Sequence, residues 1–320
     1  MNVYLTFDIE IWCNGWENLD GQFPASFQRY VYGHSTNGDF ALPKTLEILA
    51  RYDLQGIFFV EPLFAARFGI KYLEELVGLI KMGTHDIQLH LHPEWTDEIS
   101  PLIFEGAYRK RQHLSFYSLE EQCALIQLGR KLLADAGGGE ASAFRAGSFA
   151  ANEDTYRALS RCGIHLDSSL NPVHPDSGLD LRKGLNFFRP QAIDGVTVVP
   201  MTVFRDGTGR LRPTQVGACS FGELRDALES ASAAGIDHFV VLSHNFEMMK
   251  PGRSEPDAIV VRRFEKLCEY LSANRDLYQI RTFRDKSEIM TSDPDNVLPT
   301  ASLLATLVRH VEQGFRRITG

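Results

Sequence analysis

Cysteine is scarce in this chain and badly spaced for structural chemistry. Cys13, Cys123, Cys162, Cys219 and Cys268 are odd in number, far apart and without CxxC spacing, which excludes a disulfide framework and a zinc finger. Free, mostly buried thiols are expected. Apolar runs are short as well, and none reaches the roughly 20 residues that span a bilayer. Positive charge is in deficit, with 33 Lys and Arg against 41 Asp and Glu for a net charge of -8. Such a chain has no general attraction for nucleic acid phosphates or an anionic membrane. The opening MNVYLTFDIE is patterned as a strand, with no basic n-region, apolar h-region or cleavage site, so the cytoplasm is the expected compartment. Internal repeats and low-complexity segments are missing too.

What is present suits an enzyme with a large core: 44% hydrophobic residues, 21 of them Phe, in 320 residues. That length allows two domains, although α/β barrels run as long in one piece. Strand-like and helix-like segments alternate, the pattern of a parallel α/β sheet or barrel. The division expected is a barrel over 1–292 followed by a C-terminal amphipathic helix over 293–320.

The central stretch is DIQLHLHPEW, residues 86–95. As a strand it sets Asp86, Gln88, His90 and His92 on one face, because side chains alternate. Two imidazoles at i, i+2 before Pro93 suit a metal that takes neutral nitrogens, or else a wet surface face where they merely titrate. In the first strand Thr6, Asp8 and Glu10 share a face. Paired carboxylates suggest a metal ligand beside a general base, or a solvated edge.

Residues 13–42 look like a long loop, and Pro43 then starts a helix. Ser118 with Glu121 and Ser220 with Glu223 have capping-box spacing, and Asn152 can cap a third helix. SAFRAGSF is a strand carrying Arg145, either at an exposed strand end or paired with a carboxylate, for which Asp8 is the candidate. GIHLDSS sets His165, Asp167 and Ser169 on one side. Residues 171–218 look irregular, with FFRP and GVTVVPMTVF as β segments, and HFVVLSHNFEMM is a strand ending at His244. In a parallel barrel the C-terminal strand ends share one mouth, where catalytic groups gather. Asp8, Glu10, His90, His92, Arg145, Asp167 and His244 come from five strands and lie near such ends. These residue types suit metal-assisted hydrolysis.

In motif order over roughly residues 1–290, the sequence resembles the polysaccharide deacetylases with NodB homology, carbohydrate esterase family four. TFDIE is similar to that family's acidic motif with the second acid two residues after the first. HLHP stands in the place of its His-rich metal motif, FRAGSF of its Arg motif, DSS of the fourth and VVLSHN of the last. The resemblance implies an α/β fold of the incomplete (β/α) barrel type and a divalent metal, most often Zn2+, used to deacylate N-acylated sugars. It implies Asp8 as general base, Glu10, His90 and His92 as metal ligands, and His244 as the acid that protonates the leaving amine. Arg145 would hold Asp8 ionised, and Asp167 would keep His244 charged. One residue separates the two histidines where the family has three, so Glu94, four residues after His90, is an alternative to His92 as ligand. Glu10 also stands where the family has the shorter Asp.

Trp12, Trp16 and Trp95 lie beside these motifs, either to stack on a sugar ring, with Trp12 and Trp95 as the binding candidates, or to cover the core. The C-terminal segment SLLATLVRHVEQGFRRI has Leu304, Leu307, Val308, Val311, Phe315 and Ile318 on one broad face, with Arg309, Arg316 and Arg317 outside it. That face is expected to pack on its own domain or on a second copy in a homodimer, with peripheral membrane contact as the alternative. Two other functions compete with the deacetylase reading: another metal-dependent barrel amidohydrolase or phosphoesterase, and a catalytically silent glycan-binding module.

Overall fold

The computed structural model describes the chain except residues 176, 178–180, 182–185, 285–288, 290–296 and 320, and the side chain of Thr319. It forms two compact units, one of Met1–Gly56, Thr202–Thr282 and Ser292–Gly320, the other of Ile57–Met201 and Phe283–Thr291. The boundary expected at 292/293 lies outside the described residues. No helix among the described residues is long and apolar enough to cross a membrane, and the five cysteines are free, four of them buried.

In the first unit the strand Asn2–Ile9 is buried almost throughout. It pairs in parallel with His238–His244, from Asn2 opposite His238 to Asp8 opposite His244, and also with Gln279–Ile280. A strand bonded on both edges and covered on both faces reads as a continuous apolar run, which is why VYLTF looks as it does. Helix Leu42–Arg51 has Pro in its first turn, as its fixed φ favours. Helix Phe221–Ala233 opens on the Ser220/Glu223 capping box. Helix Ala258–Ala273 is capped by Asp257 and buries Val260, Phe264, Leu267 and Leu271 at helical spacing.

Residues 13–42 are not the plain loop expected. They hold a helix, Leu19–Phe27, a π-helical turn, Gln28–Tyr32, and a short antiparallel pair, His34–Ser35 with Gly38–Asp39. Gly21 and Pro24 hide the helical period in the sequence, while buried Phe23, Phe27 and Val31 anchor the segment. The C-terminal helix Leu303–Thr319 does not turn its apolar stripe onto its own unit, the first of the two packings expected of it. Arg309 is buried against Asp206 and Glu223, 2.9 Å from each, and the apolar stripe is the exposed face.

The second unit is a sheet of parallel strands, Ile57–Val60, Asp86–Leu91, Ala143–Ala146, Leu166–Asp167 and Val196–Val198 in that order, with Gln191–Ile193 antiparallel at the edge. Parallel neighbours need crossovers, and the helices Ile70–Lys81, Leu119–Asp135 and Glu153–Arg161 supply three of them. The Ser118/Glu121 box and the Asn152 cap form as expected. GVTVVPMTVF splits into Val196–Val198 here and Val203–Arg205 in the first unit, and FFRP is a turn.

Two of the polar residues on the central strand Asp86–Leu91 have structural work, and His92 follows just past its end. Gln88 Oε1 accepts from the amides of Ser142 and Ala143 at 2.9 and 2.8 Å. Asp86 accepts from the amides of Phe283 and Arg284 at 3.0 and 3.2 Å. Buried polar groups are stable only when bonded in this way, and that accounts for Asp86 and Gln88. His90 and His92 need another account.

Candidate functional site

In the first unit the parallel register sets Asp8 beside His244, and Glu10 follows just past the strand end. One ligand atom from each of Asp8, Glu10 and His244 lies within 4.8 Å of the other two. Asp8 and Glu10 are both buried. The indole N–H of half-buried Trp12 donates to Glu10 Oε2 at 2.8 Å. Asn245 clamps the backbone there, accepting from Glu10 N at 3.1 Å and donating to Glu10 O at 3.0 Å. Side chain and main chain of Glu10 are thus both fixed.

His244 Nδ1 is 2.9 Å from Glu247 Oε1. Glu247 also accepts from Gln215, from the Gly217 amide at 2.9 Å and from the Ser243 hydroxyl at 3.0 Å. Burial raises the Glu247 pKa, but the bonds from His244, Gln215 and Ser243 outweigh it, so the carboxyl stays below its ordinary value. Burial likewise works against charged His244, yet the bond and charge of Glu247, with Glu10 and Asp8 nearby, push its pKa up to about 9. A carboxylate only accepts, so Nδ1 carries the shared proton and Nε2 is the working nitrogen.

Sequence analysis assigned Asp167 as the partner of His244, and here the structure differs. The carboxylate bonded to the imidazole is Glu247, three residues further on in a turn. Asp167 instead accepts from the amide and hydroxyl of Ser169 at 2.9 and 2.5 Å, and burial raises its pKa to about 6. Ser169 Oγ in turn accepts from the Ala146 amide at 2.8 Å, which makes this pair a brace between two strands.

In the second unit His90 and His92 are buried, with ring centroids 4.8 Å apart and planes at 79°. His90 Nδ1 donates to the carbonyl of Arg145 at 2.7 Å. His90 Nδ1 is therefore the donor, and in its neutral form that ring carries its lone pair on Nε2, the state a metal requires. Glu94 Oε2 lies 3.3 Å from His92 Nδ1. Gly147, in the FRAGSF motif, makes room for this seat. A Cβ there would stand 2.7 Å from His92 Cε1 and Nδ1 and 2.8 Å from the Leu91 carbonyl oxygen.

Arg145 is fully buried. Its Nε donates to the Ser168 carbonyl and Nη2 to the Ser168 hydroxyl, both at 3.1 Å, and its guanidinium lies 4.3 Å from the Phe59 ring centre. Glu61 was missed in the sequence. Its Oε1 accepts from the Leu63 amide at 2.9 Å, and burial pushes its pKa up to about 8, against the pull of the Leu63 amide and His92. Glu94, the alternative ligand, is buried beside His92, its Oε2 3.3 Å from Nδ1. Trp95 is 2% exposed and packs edge-on against Phe68 at 6.0 Å. It offers no face for a sugar and is a core residue.

By donor chemistry the residues fit a divalent metal. Imidazole nitrogens and carboxylate oxygens are donors that divalent ions take.

No family model and no curated protein matches the sequence. Among solved structures, the chain is similar to a protein from Mycobacterium smegmatis provisionally classed as a polysaccharide deacetylase, at 16% identity over 98% of this chain and 91% of that one, TM-score 0.52. It is also similar to 4-alpha-glucanotransferase from Thermococcus litoralis, at 15% identity over 99% of this chain and 46% of that one, TM-score 0.56. A family 4 carbohydrate esterase from Streptomyces lividans, solved in complex with acetate, aligns at 13% identity over 93% of this chain and 97% of that one, TM-score 0.47. The fold is an incomplete (β/α) barrel of the polysaccharide-deacetylase type, as the motif order implied. Because the second structure carries a different activity, the likeness speaks for the fold, and function must be argued from the site.

Proposed function

We propose that the chain is a metal-dependent hydrolase that removes the acetyl group from an N-acetylated sugar, in a polysaccharide or its intracellular precursor. In this reading Glu10, His90 and His92 hold the metal, Asp8 is the base and His244 the acid. The observation that carries it is the bond from buried His90 Nδ1 to the Arg145 carbonyl, which leaves Nε2 as the basic nitrogen of that ring. A histidine buried only as packing has no need of such an orienting bond.

When bound, a divalent ion, in this reading zinc, supplies polarisation of the amide carbonyl and acidification of a water near neutral pH. The chain's own residues do the rest. Asp8 accepts the proton of the attacking water. Trp12 and Asn245 hold Glu10 in place. His244, kept protonated by Glu247, delivers its proton from Nε2 to the nitrogen of the leaving amine, without which the C–N bond does not break readily.

The test is acetate release from N-acetylated oligosaccharides of several sugar types by the zinc-loaded protein. Asp8→Ala should keep its fold and lose roughly 10²–10⁴ of the rate, the range for a positioned acid or base. Wild-type release in that variant would remove Asp8 from the mechanism, and no release from any acylated sugar would remove the reading itself.

A further inference from the structure

The C-terminal helix Leu303–Thr319 packs against its own unit by its charged face. Arg309 is fully buried, its Nη2 and Nε on Asp206 and Glu223. The Thr306 hydroxyl donates to the same Glu223 oxygen at 3.0 Å. Glu312 accepts from Arg263 at 2.6 Å, and Arg316 Nε donates to Asp257, also at 2.6 Å. The apolar face is therefore turned outward, with Leu304 72%, Val311 71%, Phe315 62% and Ile318 85% exposed, and Leu307 and Val308 about half exposed.

We infer that this face is the contact by which two copies of the chain form a symmetric dimer, helix against helix. Leu304, Val308, Val311, Phe315 and Ile318 follow one another at steps of four, three, four and three. That is the alternation which forms a seam for a second helix. A patch that matches itself closes about a two-fold axis, the commonest arrangement of soluble oligomers.

The size is right for such a contact. Side chains of this number and exposure present on the order of 700 Å² of apolar surface, more than single soluble chains usually leave uncovered and close to the roughly 800 Å² per partner of a standard interface. Gly314 adds a second observation. Glycine inside a helix costs about 1 kcal/mol against alanine, yet a Cβ built there meets nothing within 4 Å, so packing inside the chain does not require it. It lies one residue from Phe315, where close approach of a second helix would. Beside the helix, Pro251, Pro256, Ile259 and Phe315 line a groove of about 640 Å³, with room for large side chains from the partner's helix.

Lipid is the poorer occupant. A membrane-surface helix sets lysines and arginines along the flanks of its apolar face, whereas Arg309 and Arg316 are turned inward onto carboxylates, and the chain as a whole carries -8.

Sedimentation equilibrium of the full chain between about 1 and 100 µM, the range in which interfaces of this size usually associate, tests the inference. The wild type should reach twice its 36.0 kDa. Val311→Glu and Phe315→Glu, each on an exposed position, should keep the wild-type circular dichroism and melting temperature of the dilute protein. Both should weaken association by at least about tenfold, one charge buried against apolar partners, and Met82→Glu, at an exposed site on the other unit, should not. A wild type that stays at 36.0 kDa throughout, or a dimer indifferent to both glutamates, overturns it. So does a monomer that floats with phosphatidylserine vesicles and loses that binding in Val311→Glu, which would assign the face to lipid.

Discussion

His90 Nδ1 lies 2.7 Å from the carbonyl oxygen of Arg145, its register partner on the neighbouring strand. A carbonyl can only accept, so the imidazole is held as the Nδ1–H tautomer with its basic nitrogen at Nε2. Nitrogen-15 correlation spectra of the metal-free protein should show the proton of the neutral His90 ring on Nδ1. An Nε2–H tautomer would mean that this histidine is not prepared as a ligand.

The bond between His244 and Glu247 sets a pH limit. With its pKa raised to about 9, the imidazole stays charged through neutral pH, so an activity that needs it as the acid should hold at neutral pH and fall as pH rises through about 9. The same sign governs stability: what the bond contributes is complete below the ordinary imidazole pKa of 6.5 and is lost as pH passes about 9. In Glu247→Gln the charge is gone while burial remains, so the alkaline limb of the acetate-release profile should move down by two or more pH units, a free-energy change of about 1.4 kcal/mol per unit. A limb that stays near 9 would break the pairing.

How much of this could be read in the sequence depended on the range of the interaction. Asp8, Glu10, His90, His92 and His244 could be placed at strand ends because alternation and strand order are local patterns. The capping boxes at Ser118 and Ser220 were legible for the same reason. Glu247 was not, because its role arises in a turn where neither period applies, and DSS offered Asp167 as a more conspicuous acid. Asp86 and Gln88 shared a face with the histidines and had no assigned role until their amide partners, at residues 283–284 and 142–143, came into view. Of the two packings expected for the apolar face of the C-terminal helix, the one on its own domain does not form. The apolar stripe was plain, but the carboxylates that capture Arg309, at positions 206 and 223, are about a hundred residues away.

Trp12 and Trp95 should separate cleanly. Trp95→Ala removes a fully packed side chain and should cost about 3–5 kcal/mol of stability with its cavity. Trp12→Phe should leave stability within about 1 kcal/mol, since it removes one indole N–H, and weaken zinc binding through a loosened Glu10. Denaturant titration and a zinc competition assay read the two effects, and equal stability losses would contradict the assignment.

Gly147 is a packing demand of the His92 seat. Gly147→Ala should leave the sheet intact by circular dichroism and lower zinc affinity on the order of tenfold or more, the scale of changes next to metal ligands. Unchanged affinity would show that His92 tolerates displacement and is not a ligand.

Arg309 should behave as a core residue despite its charge. Arg309→Ala leaves Glu223 and Asp206 buried without it and should cost about 3–5 kcal/mol, whereas Arg317→Ala, exposed on the same helix, should stay within about 0.5 kcal/mol. Denaturant titration at concentrations too low for association makes the comparison, and similar effects for the two would contradict the packing of the helix by its charged face.

The most direct test is elemental analysis of the purified protein after equilibration with zinc and removal of free ion, with His90→Ala and His92→Ala beside the wild type. The account predicts about one zinc per folded wild-type chain and none retained by either variant. A wild type without metal, or variants that keep it, would contradict the claim that these two histidines hold the ion on which the proposed deacetylation depends.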